Sequence, residues 1–193
     1  MTTLRYPSVR LEATVLCLAI AALIVWFAFL RSDDGSATVQ PGGGPAATTE
    51  ADLGALSNRL GQPIYWAGQR AGSELEATVT TNNYVYIRYL TSGAAVGDKS
   101  PEFLTVATYP AADAFGNLRA YAKHERAKLV HLSAGRIAVP VPGAPNSVYV
   151  ASPDSDYQVE VYDPKVGAAL GLIDSGGVVP VHGGVDPSAP LSG

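Results

Sequence analysis

The chain has 193 residues, a formal net charge of −4 and 47% hydrophobic residues, enough for one domain of ordinary size plus tails. Between Leu53 and Pro180, ten Lys/Arg stand against eleven Asp/Glu, a balance without the basic footprint of a nucleic-acid binder. Cys17 is the sole cysteine, so whatever folds after it does so without a disulfide, which is compatible with an oxidising compartment.

The first element is the run from Ala13 to Leu30, eighteen residues without a charge. As a helix it spans about 27 Å, close to a hydrocarbon core of about 30 Å. Trp26, Phe27, Phe29 and Leu30 make its outer end bulky, and Arg31, Asp33 and Asp34 follow at once. A cleaved signal peptide has a shorter core and a small-residue cleavage site. The pattern predicts an anchor over 11–30, with the cleaved signal as the alternative. Arg5 and Arg10 precede the run, which puts residues 1–10 in the cytoplasm and the bulk of the chain outside the cell membrane. Residues 31–52 are rich in Gly, Pro, Ser, Thr and Ala and read as a flexible linker.

From residue 53 the chain alternates between two periods. Leu53, Leu56 and Leu60 mark a short helix that stops at Gly61. "PIYWA" is a short strand. "LEATVT" and "YVYIRYL" alternate strictly and are joined by the turn residues "TNN". "FLTVATY" is a third strand, and Pro110 opens a helix over 111–128 with Phe115, Leu118 and Ala122 inward. "KLVHL", "RIAVPV", "SVYVAS" and "YQVEVY" are four more strands. Asp163 and Pro164 begin a second helix with Val166, Ala169, Leu170 and Ile173 inward, and "GVVPV" closes the domain. Residues 182–193 read as a disordered tail. The class is α+β, a mostly antiparallel sheet over 53–181 with helices packed on one face. "FLTVATYP" and "YQVEVYDP" each lead from a strand through proline into a helix. That pattern is either a degenerate duplication of a meander-plus-helix unit or a convergence of local grammar.

Few residues suggest chemistry. His124, His131 and His182 fit no zinc spacing, and no cysteine completes a set, so no metal and no cofactor is expected. No Gly-x-Ser-x-Gly elbow, Ser-x-x-Lys or Walker lysine occurs. Asp154, Asp156, Glu160 and His131 would serve a hydrolase acting on envelope material only if at least two met in one cleft. Arg119, Lys123 and Arg126 share a helix face, which suits either an anionic lipid or polymer, or plain solvent. If the valines of the strands face the helices, alternation sends Tyr84, Tyr86, Arg88, Tyr109, Tyr149, Glu160 and Tyr162 to the other side, with Tyr84, Tyr86, Arg88, Tyr149 and Tyr162 as the candidate ligand contacts. Such a tyrosine-rich face suits the binding of a protein, a peptide or an envelope polymer. A domain that displays nothing is the third reading.

The stretches "YWAGQRAGSELEATVT", "VYIRYL", "LTVATYP" and "SVYVASPDSDYQVEVYDP", within residues 60–165, resemble those of uncharacterised single-pass membrane-anchored envelope proteins of high-GC Gram-positive bacteria. The resemblance implies an envelope location and an extracytoplasmic domain, and brings no catalytic residues with it.

Overall fold

Antiparallel pairing organises the chain into one large sheet. The computed structural model describes residues 39–187; the expected cytoplasmic tail, the anchor over 11–30 and residues 188–193 lie outside them. Among the described residues no helix is long and apolar enough to cross a membrane. The strands are β1 (Ala46–Thr48), β2 (Tyr65–Trp66), β3 (Ser73–Val79), β4 (Val85–Thr91), β5 (Thr105–Pro110), β6 (Val130–His131), β7 (Ile137–Val141), β8 (Ala144–Ala151), β9 (Tyr157–Tyr162) and β10 (Val179–Pro180). The helices are α1 (Glu50–Leu60), α2 (Ala114–Glu125) and α3 (Ala168–Asp174). Eight strands form the main sheet in the order β1-β3-β4-β5-β9-β8-β7-β6, and β2 and β10 pair separately.

Local chemistry accounts for the joints. The "TNN" turn closes β3 onto β4 with Asn83 at φ 59° and the amide of Thr80 donating to the Tyr84 carbonyl at 2.9 Å, as its turn residues suggest. Helix α1 begins three residues before its predicted start because Thr49 and Asp52 form a capping box. Helix α2 is capped by Asp113, whose carboxylate accepts from the Gly116 amide at 3.1 Å. Pro110 therefore ends β5 rather than opening the helix. Asp163 holds the amide of Lys165 at 2.8 Å in a turn, so α3 waits until Ala168. Val166, expected inward, is 65% exposed.

The sheet is covered on both faces, which corrects the expectation of helices on one. On one face Leu75, Val79, Ile87, Val106, Val148 and Val161 pack with Leu53 and Leu56 of α1 and Ala169 and Ile173 of α3. The β2–β10 ribbon joins this layer: the Tyr65 amide donates to Thr108 Oγ1 at 3.0 Å and the Ala67 amide to the Tyr89 hydroxyl at 2.6 Å. Helix α2 lies on the opposite face, over β7, β8 and β9, with the Tyr121 ring edge-on to Tyr149 at 6.1 Å. The reason is that β7 is apolar at both parities: Ala138 joins the first core, whereas Ile137, Val139 and Val141 are buried towards α2. A helix's periodicity says that it has an apolar stripe, not which side of the sheet receives it.

Two expected tails belong to the domain. Within the predicted linker, Val39 is buried, its carbonyl accepts from Arg59 Nη2 at 3.1 Å, and Ala46–Thr48 pair with β3. Within the predicted disordered tail, residues 182–187 strap α1. The amide of Val185 donates to Ser57 Oγ at 2.9 Å and Asn58 Nδ2 to the Gly183 carbonyl at 2.6 Å. Backbone hydrogen-bonding capacity, which composition does not reveal, decided both cases.

Candidate functional site

The face opposite α1 is where the sequence placed its tyrosines, and a loop and a helix close much of it. Over β3 and β4 lies the loop 92–104. Glu76 and Arg88, cross-strand partners, form a buried ion pair at 2.8 Å. Glu76 Oε2 accepts the Gly97 amide at 2.5 Å, Arg88 Nη2 donates to the Ser100 carbonyl at 3.0 Å, and the guanidinium lies 4.9 Å from the Phe103 ring centre. Arg88 thus fastens the loop to the sheet and is 2% exposed.

At the centre, β5 and β9 bring Glu160 among tyrosines. Tyr109 donates its hydroxyl to Glu160 Oε2 at 2.7 Å, and the Tyr109 ring stands edge-on to Tyr84 at 5.1 Å and to Tyr86 at 5.9 Å. Burial pushes the Glu160 carboxyl up to about 7, against the hydrogen bonds from Tyr109 and Ser147 that draw it down. Burial also raises the phenols, Tyr86 to about 12 and Tyr109 and Tyr149 well above their ordinary value, with the Glu160 charge adding to each. A carboxyl that is 2% exposed under such rings has no open path to a substrate. It is a polar kernel of the core, satisfied by hydroxyls.

The expected open tyrosine face is therefore corrected. Tyr86 and Tyr149 are each 1% exposed, with the Tyr109 ring edge-on to Tyr86 and Tyr121 of α2 edge-on to Tyr149. Tyr84 and Tyr162 are half-buried. Of the five residues only these two offer a side chain to a ligand, and the continuous surface does not form. Strand alternation sorted the residues correctly onto one face but carried no information about what lies over that face. A signal for the kernel was present in the sequence: one acid, Glu160, between valines in "YQVEVY", and an acid and an arginine that fall opposite one another once "TNN" is taken as the hairpin turn.

The residues considered for hydrolysis do not meet. Asp154 is exposed at a turn with φ 55°. Asp156 Oδ1 accepts the Asp113 amide at 2.9 Å and helps to hold the start of α2. Glu160 is enclosed, and His131 is exposed on β6. Among the described residues no group of three or more His, Cys, Asp or Glu is placed to hold a metal ion.

The second cover, α2, leaves a groove of about 750 Å³ between itself and the β6–β7 edge. Phe115, Ala120, Ala122, Leu129 and Ile137 supply apolar walls, and Arg119, Lys123 and His131 line it with basic groups. Charge is segregated around it. Residues 111–131 contain Arg119, Lys123, Arg126 and Lys128 against Asp113 and Glu125, whereas Arg136 turns to the opposite face beside Tyr65 and Ile173. The rest of 39–187 holds six Lys/Arg against twelve Asp/Glu. A basic, partly apolar groove on an otherwise acidic domain is an attractor for anionic amphiphilic groups. Comparison with family models, curated proteins and solved structures finds no match, so the site rests on its own geometry.

Proposed function

We propose that the chain is a single-pass membrane protein of the cell envelope whose extracytoplasmic α+β domain is a non-catalytic binding module. Residues 11–30 anchor it, residues 1–10 lie in the cytoplasm, and the domain begins at Val39. The binding surface is the groove beside α2, with Arg119, Lys123 and His131 at its rim, rather than the tyrosine face. The observation that carries this reading is the pairing of an apolar groove with the basic segment of an acidic domain. The envelope resemblance and the apolar run supply the location.

The two meander-plus-helix stretches fit convergence better than duplication. The strands are symmetric about the β5–β9 pair, but α2 and α3 lie on opposite faces, which a two-fold copy of one unit would not produce.

The reading is tested by placing a photo-crosslinking side chain at Ala120 in the groove of the full chain in a bacterial membrane, with Glu74 on the exposed far edge as control. An adduct at Ala120 and none at Glu74 is expected, on protein that stays in the membrane after alkaline extraction. Release of the chain by that extraction refutes the anchor, and equal labelling at both positions refutes the groove.

A further inference from the structure

We infer that the groove beside α2 docks anionic phospholipid of the membrane that holds the chain, so that the domain rests on the bilayer through this face. The inference rests on the binding reading above and names the ligand. The groove asks for an amphiphile. Its walls of Phe115, Leu129 and Ile137 suit acyl or glycerol carbon, and Arg119, Lys123 and His131 suit a phosphate. A purely polar polymer would leave the apolar walls uncovered. The surrounding charge selects the same orientation, because the basic segment 111–131 is drawn towards a negative surface that repels the remainder.

The length of the tether favours lipid over other amphiphiles. Only residues 31–38 separate the predicted anchor from Val39, which is held in the core. Fully extended, they reach about 30 Å. An anchor this close in sequence keeps lipid headgroups at high effective concentration.

The test uses the full chain in nanodiscs of pure phosphatidylcholine or of phosphatidylcholine with about one-third phosphatidylglycerol, followed by hydrogen exchange. Slower exchange over 115–131 in the anionic discs alone is expected. The protection should fall roughly five-fold for each cation removed in Arg119→Gln and Lys123→Gln, with exchange of β3 to β5 unchanged as the check on folding. Dihexanoyl phosphatidylglycerol added to neutral discs should restore protection, whereas inorganic phosphate should not. Equal exchange in the two kinds of disc overturns the lipid inference. If an acidic peptide with apolar residues then protects 115–131, the binding reading survives without it. If no probe protects, both fall, as they do if the chain does not enter the discs.

Discussion

At the level of single residues, buried charge sets the behaviour of this domain. Glu160 has a folded pKa of about 7 against an ordinary 4.5 because burial disfavours its charge. Its contribution is fully present below pH 4.5 and is lost as pH rises through about 7. The loss is about 3 kcal/mol at 1.36 kcal/mol per unit. Glu160→Gln keeps an oxygen for the Tyr109 hydroxyl and abolishes the titration. Urea denaturation should show the wild type losing stability between pH 5 and pH 8, and the variant holding level and exceeding it at pH 8. A parallel pH dependence in both would remove Glu160 as the cause. Arg88 poses the opposite case, a buried cation with its partner. Arg88→Ala takes the cation away from the buried Glu76 carboxylate and leaves it the Gly97 amide, a cost of about 3–5 kcal/mol. Replacing both residues with apolar ones of similar volume should cost less than Arg88→Ala alone. The same denaturation curves read both.

At the level of elements, close approach is the controlling quantity. Helix α1 is held by the strap 182–187, and a Cβ on Gly54 would stand 2.7 Å from the His182 carbonyl oxygen. Gly54→Ala gains about 1 kcal/mol of helix propensity but forces the strap outward at a cost of about 1–3 kcal/mol. The expected outcome is a small loss of stability with faster amide exchange at Val185, whose partner is Ser57. Unchanged exchange there would mean that the strap adjusts freely. The cap is the counterpart at the other end of α1: Thr49→Ala removes the oxygen that accepts the Asp52 amide and should cost about 1 kcal/mol in thermal denaturation. Strands β3, β4, β5, β8 and β9 were legible in sequence because each alternates and is bounded by turn residues, whereas β1 lay unread in the expected linker. The α1 cap was missed because the residue at its third position is Asp52 rather than Glu or Gln.

At the level of the whole molecule, the boundaries matter most. Residues 39–45 look like tether by composition, yet Val39 is buried and the Gly42 amide donates to the Val79 carbonyl at 2.9 Å. Deleting 39–45 should lower the thermal midpoint measurably, because it uncovers apolar core and frees the edge of β3. A chain that melts unchanged would return this segment to the linker. The groove beside α2 also belongs to this scale. Arg119 and Lys123 could be seen to share a helix face from their spacing, but Ile137 and Leu129, which complete the groove, come from the other side of a turn.

Period, turn chemistry and apolar runs are local, so the sequence by itself determined the α+β class, the strand succession, the candidate anchor and the sorting of side chains onto two sheet faces. Which face received α2, that the loop 92–104 covers Arg88 and α2 covers Tyr149, and that the Tyr109 hydroxyl meets the Glu160 carboxylate were decided only by tertiary structure. Each of those outcomes depends on segments far apart in the chain competing to bury the same surface, and neither periodicity nor composition records who wins.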